Sequence, residues 1–238
     1  MESREPSQRS RRPRGVVPYN SDLYRLVRDK NQWQVSPDSP RPTGSLGRWH
    51  QRGYLPHRDA PGLTQFVTFR LADAFPSELR AEWQTLLEIE ADRRRLRQLE
   101  EYLDSGRGEC HLKRADVARV VEGALRFFNG TRYDLEAWIL MPNHVHVLFT
   151  QRDVSLSLIT GSWKSYTAKQ ANQILGRSGQ FWAEDYWDTY MRDDEHELRT
   201  RHYIEDNPVK AHLAFDPHQW PWGSARFRDE YGRLRLPA

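Results

Sequence analysis

Two histidines, His144 and His146, stand one residue apart in the apolar run LMPNHVHVLFT, Leu140 to Thr150. In an extended strand, residues i and i+2 point to one face, so both imidazoles are presented together while Val145 and Val147 face the other way. Two ring nitrogens side by side form a ligand pair for one metal ion. A single histidine in such a run reads instead as a hydrogen-bonded core residue. The next segment, SLSLITGSWKSYTAKQANQIL, carries Tyr166 and Gln170 four residues apart, on one face of a helix. They offer a phenol for nucleophilic attack and an amide oxygen as a third ligand.

The H-x-H pattern also occurs in cupins and in barrel hydrolases. A cupin needs many short strands, and this chain invests in long helices. A hydrolase barrel needs many βα units after its histidine strand, and too little chain follows His146.

The elements that must position these residues are legible from periodicity. LTQFVTFRLAD, from Leu63, alternates as a strand. PSELRAEWQTLLEIEADRRRLRQLEEYL repeats Leu79, Trp83, Leu86 and Leu87 at helical spacing and ends in a solvated charge run. A second helix, Lys113 to Phe128, lines up Val117, Val120, Val121, Ala124 and Leu125 before Asn129-Gly130 stops it. TRYDLEAWILMPN and HVHVLFT then form an antiparallel pair hinged at Met141-Pro142-Asn143. A helix from Ser155 to Leu175, a short extended segment DYWDTYMR and a helix from Asp194 to Asp206, closed by Asn207-Pro208, complete the order. This order predicts an α+β fold, a ferredoxin-like split βαβ sandwich with an antiparallel sheet.

The flanks differ in composition. Residues 1–47 read as a disordered basic tail and irregular arm, rich in Arg, Ser and Pro; 48–226 as the domain; and 227–238 as a C-terminal tail. Lys and Arg total 36 against 33 acidic residues, a formal charge of +3 that permits a nucleic-acid partner without demanding one. Cys110 is the only cysteine, which excludes an internal disulfide framework and a cysteine-rich zinc finger and fits a reducing cytoplasm. No stretch approaches the ~18 apolar residues of a membrane span.

The motifs MPNHVHVLF, LSLITGSWKSYTAKQAN, FWAEDYWDTYMRDDEHELRTRHYIEDNPVKAHL and WPWGSA, with the arm GYLPHRDAPGLTQFVTFRLAD, together resemble the REP-associated tyrosine transposases of the HUH single-tyrosine superfamily. The resemblance runs from about Trp49 to Arg226. It implies an endonuclease and transposase that cuts and rejoins single-stranded or hairpin DNA at REP-like palindromes through a 5′-phosphotyrosine intermediate. The alternative within the same resemblance is a domesticated protein that binds the hairpin without cutting it. A third possibility is a metal hydrolase of small substrates. Carried over by motif, His144, His146 and Gln170 hold a divalent metal, Mg2+ or Mn2+, and Tyr166 is the nucleophile. The family often has asparagine where this chain has Gln170. His57, Arg58, Lys164, Lys169 and Arg192 are candidate DNA contacts. Trp182, Trp187, Trp220 and Trp222 are candidate stacking platforms, with packing as the ordinary alternative. The implied protein is a cytoplasmic, nucleoid-associated monomer or homodimer.

Overall fold

A computed structural model describes residues 49–52, 55–58, 60–75, 101–184 and 186–237; at 49–58 only the backbone is described. The expected basic tail and most of the first helix lie outside the described residues. The arm is more regular than its turn-rich composition suggested. Trp49–Arg52 (β1) and Leu55–Arg58 (β2) pair antiparallel as a short hairpin.

The central sheet has four strands: Thr64–Arg70 (β3), Tyr133–Leu140 (β4), His144–Gln151 (β5) and Trp187–Tyr190 (β6). Their spatial order is β4-β5-β3-β6, and every neighbouring pair is antiparallel. That is the strand order of the ferredoxin-like arrangement. Ala115–Phe127 (α1) lies between β3 and β4 in the chain, and Leu156–Leu175 (α2) between β5 and β6. Asp194–Lys210 (α3) follows β6.

Period-2 alternation sorts the strand side chains into two cores. Val67, Phe69 and Leu71 from β3 and its end, with Val145, Val147 and Phe149 from β5, meet Val121 and Leu125 of α1 and Ile159 and Trp163 of α2. On the other face Ala137, Ile139 and Leu148 meet Ile204 of α3, with Phe66 and Tyr203 packed alongside. Strand β4 keeps both sides apolar by a bulge. Its register to β5 shifts between Leu135 and Ala137, so Tyr133, Leu135, Trp138 and Leu140 all reach the first core.

Ser155 caps α2, its side chain accepting from the Leu158 amide, and Gly176 ends the helix at φ 63°. Asp193 caps α3 in the same way, accepting from the His196 amide, and Asp194, Glu195 and Glu197 fill the first turn. The expected stop at Asn207-Pro208 is a pause only, because α3 runs through Pro208 to Lys210. Proline removes one amide donor there but tertiary packing holds the turn, with Asn207 and Pro208 both buried.

Residues 227–237, set apart as a tail by composition, pack back on the domain. Leu234 and Leu236 lie against the first core, and the Pro237 carbonyl accepts from Arg126 Nη2 at 3.3 Å. Among the described residues no helix is long and apolar enough to cross a membrane.

A buried relay ties α2 to the sheet. Trp163 Nε1 donates to Tyr133 Oη at 2.8 Å, and Tyr133 Oη donates to the Leu125 carbonyl at 2.7 Å. Burial pushes the Tyr133 phenol above its ordinary range, so it stays protonated and able to donate. Tyr133→Phe orphans the Trp163 N–H and the Leu125 carbonyl. The expected cost is about 1–3 kcal/mol, read as a lower urea midpoint at unchanged slope.

Candidate active site

Strand β5 turns His144 and His146 onto the face that α3 covers, opposite the face occupied by α2. Both side chains are buried, at 0% and 1% exposure. His146 lies between aromatic neighbours: its ring centroid is 5.4 Å from Phe66 and 5.6 Å, edge-on, from Tyr203 of α3.

Every ring nitrogen of the pair has a partner. Asn143 Nδ2 donates to the Arg107 carbonyl at 2.9 Å, which fixes the amide so that its Oδ1 accepts from His144 Nδ1 at 2.8 Å. That leaves a lone pair on His144 Nε2. His146 Nδ1 is 2.7 Å from Thr68 Oγ1, its cross-strand neighbour, and the two Nε2 atoms are 3.1 Å apart. A hydroxyl can donate or accept, so Thr68 satisfies His146 in either tautomer. With the proton on Nε2, His146 bonds to His144. With the proton on Nδ1, both Nε2 atoms present lone pairs to one point.

The separation suits a shared ion. Ligands ~2.1 Å from a common centre, at right angles, stand ~3.0 Å apart. Nδ1 donation to an amide or hydroxyl oxygen is the usual way a ligating histidine is oriented. A third donor comes from α3. Asn207 is fully buried, and neither atom of its amide has a hydrogen-bond partner in the structure. An orphaned buried amide costs about 1–3 kcal/mol, and a cation on its oxygen would remove the acceptor's share of that penalty. Asn207 lies four residues after Tyr203, on the same helical face. The Asp104 carboxylate lies at the edge of the pair, its Oδ1 3.6 Å from His144 Nε2.

The expected meeting of the histidines with Tyr166 and Gln170 is therefore not the one the fold makes. Helix α2 buries Ile159, Trp163, Thr167 and Ala171 against the Val145, Val147 and Phe149 face, so the sheet separates it from the imidazoles. Tyr166 and Gln170 sit half-buried on the flank of α2, and desolvation raises the Tyr166 phenol. The tyrosine and amide that do share the histidine face are Tyr203 and Asn207. The signal was in HYIEDNP, which repeats the four-residue tyrosine-to-amide spacing.

Of the candidate DNA contacts, Lys169 and Arg192 are exposed. Lys164 is engaged locally, donating to the Glu184 carbonyl and lying over the Tyr186 ring. His57 and Arg58 end strand β2. The tryptophans pack: Trp182 Nε1 donates to Thr167 Oγ1 at 2.8 Å, Trp220 Nε1 donates to the Leu140 carbonyl at 3.0 Å, and Trp187 and Trp222 lie against the first core.

Residues 111–207 match the family model described as "Transposase IS200 like", a span that starts after Asp104 and closes on Asn207. A solved REP-associated tyrosine transposase bound to a REP hairpin is similar at 17% identity and TM-score 0.45, over 79% of this chain and 98% of that one. A transposase structure from Deinococcus radiodurans R1 is similar at 14% identity and TM-score 0.35, over 66% of this chain and 96% of that one. No curated protein matches the chain.

Burial holds His144 well below its ordinary 6.5, helped by the neighbouring His146, and lowers His146 to about 3. Between pH ~6.5 and ~3 the unfolded chain then binds protons that the folded chain refuses, so stability present above 6.5 falls as pH drops. Urea midpoints measured in EDTA should be lower at pH 5 than at pH 7.5. The difference should shrink in the His144→Gln, His146→Gln double variant.

Proposed function

We propose that the chain, whose residues 111–207 match the IS200-like transposase model, is a metal-dependent tyrosine endonuclease and transposase acting on single-stranded hairpin DNA, with Tyr203 as nucleophile. The observation that carries the choice is the edge-on approach of Tyr203 to His146, at 5.6 Å, on the face shared with the orphaned Asn207 amide. His144, His146 and Asn207 are the ligand set. A divalent cation such as Mg2+ or Mn2+ bound there supplies positive charge to a non-bridging oxygen of the scissile phosphate.

The remaining steps belong to the chain's own residues. The Tyr203 hydroxyl gives up its proton to solvent as its oxygen forms a bond to phosphorus and the bond to the departing 3′ oxygen breaks, with solvent returning a proton to that oxygen. That oxygen leaves as a hydroxyl once it has gained a proton, and the 5′ phosphate stays on Tyr203, keeping a phosphodiester available for rejoining. Phe66 packs edge-on to the Tyr203 ring at 6.1 Å, and Lys210 Nζ lies 4.8 Å over its centroid. These two contacts hold the ring from two sides and set a positive charge beside the attacking group. Asn143 and Thr68 keep the imidazoles in orientation. Exposed Lys169, Arg192 and Lys210 supply charge to the DNA backbone, with His57 and Arg58 on the β2 strand. Hairpin palindromes of the REP type are the substrate class, following the resemblance of the motifs. The domain runs from about residue 48 through the docked C-terminal residues, it acts as a monomer or homodimer, and its DNA is that of the cytoplasmic nucleoid.

Incubating the full chain with labelled hairpin single-stranded DNA and Mn2+ should give a covalent adduct that survives denaturing electrophoresis. Tyr203→Phe should abolish it while hairpin retention on a native gel persists, and Tyr166→Phe should retain it. An adduct that survives Tyr203→Phe and disappears in Tyr166→Phe would return the role to α2. Retention without an adduct in the unsubstituted chain would leave a hairpin-binding protein. Asn207→Ala should lower adduct yield at least tenfold at limiting Mn2+, with yield recovering partly as Mn2+ is raised.

A further inference from the structure

Strand β4 is the outer strand of the sheet, so its outward backbone groups need partners from beyond the ladder. Residues 222–228 supply them. The Leu140 amide donates to the Trp222 carbonyl at 2.9 Å, the Trp138 amide donates to Ser224 Oγ at 3.1 Å, and the Glu136 carbonyl accepts from Arg228 Nη2. Gly223 passes so close to the strand that a Cβ would lie 2.5 Å from Ile139 Cδ1.

Ser224 and Arg228 have donors to spare, and both turn them onto one atom of α3. Glu205 Oε1 accepts from Ser224 Oγ and from Arg228 Nε at 2.9 Å, and Arg228 Nη2 lies 2.9 Å from the same oxygen. The Arg228 and Glu205 side chains are 7% and 11% exposed, and Ser224 is fully buried. A carboxylate in such a place needs its partners at fixed positions, because leaving either charge unpaired is costly. Helix α3 is therefore bolted to the edge of the sheet through Glu205.

The bolt lies opposite the candidate nucleophile. Ile204, fully buried, marks the line along which α3 meets the sheet. At ~100° per residue, Tyr203 falls on one flank of that line and Glu205 on the other. Asn207, one turn on, shares the Tyr203 flank. A roll of α3 about its axis moves both flanks together: with side chains ~5–6 Å from the axis, ~10° displaces each by ~1 Å. Glu205 cannot make that shift without leaving Ser224 and Arg228.

Resting on the reading of Tyr203 as nucleophile, we infer that Glu205 is a positioning residue for the reaction. Held by Ser224 and Arg228, it fixes the roll of α3 and with it the placement of the Tyr203 phenol beside the histidines. Its carboxylate is turned to the outer strand, so it acts through Tyr203 and Asn207. A nucleophile misplaced by ~1 Å costs about a hundredfold in rate.

The test is single-turnover adduct formation by the full chain on labelled hairpin DNA at saturating Mn2+, read as a rate constant beside hairpin affinity on a native gel and melting temperature. Glu205→Gln and Glu205→Asp should hold the hairpin within about twofold of the unsubstituted affinity and form the adduct at least tenfold more slowly, at a temperature where both are folded. If Glu205→Gln is unfolded there, Glu205→Gln combined with Arg228→Met, which removes the cation left unpaired, replaces it with the same expectation. A role in stability alone lowers the bound and reacted fractions together and leaves the rate constant unchanged; that result overturns the inference while the Tyr203 assignment stands. An adduct that survives Tyr203→Phe overturns the assignment and the inference with it.

Discussion

Strand β5 has to bury both of its faces at once, and the rest of the site depends on that constraint. Its odd positions, Val145, Val147 and Phe149, go into the core under α1 and α2. The even positions, His144, His146 and Leu148, are closed off by α3 and its neighbours. A charged imidazole cannot be sustained in such a place, so the pair is neutral and each ring needs hydrogen-bond partners at fixed positions. Thr68 is supplied by the antiparallel register of β3, and Asn143 by the hinge just before the strand. A one-residue slip of β5 would exchange valines for histidines and destroy both cores together.

Helix α3 turns this buried pair into a candidate catalytic centre. A ferredoxin-like sheet carries its crossover helices on one side; here the other side is covered by α3, which follows the last strand of the sheet. Ile204 anchors α3 in the apolar part of that interface. Tyr203 and Asn207 follow from the same helical geometry. Asn207 is a polar group buried without a protein partner, an unfavourable choice for stability alone, and it lies one turn from the phenol. Local cost concentrated where ligand chemistry would repay it is the pattern expected of a functional site.

The sheet, the helices α1 and α2, and the histidine strand were legible because each is written in a strong period: alternation for the strands, three-to-four spacing for the helices, Asn-Gly and Gly at the stops. The β1–β2 hairpin was hidden by proline and glycine in its arm. Helix α3 was cut short at Pro208, since local propensity disfavours proline there while the burial of Asn207 and Pro208 favours continuing. The docked C-terminal residues were missed for a related reason: Leu234 and Leu236 are too sparse to read as a core element, yet each finds a place on it.

The sequence by itself determined that two imidazoles share one side of a strand, because period two is a property of extended backbone and needs no partner. It likewise determined that tyrosine and an amide share a helical face at two places, 166 with 170 and 203 with 207. Only the tertiary structure decided between them, because the face of the sheet onto which a helix packs depends on crossover path and long-range burial, neither of which has a local signature. Helix α2 was the nearer in sequence and took the valine face. Helix α3, far along the chain, brought its tyrosine to the histidines.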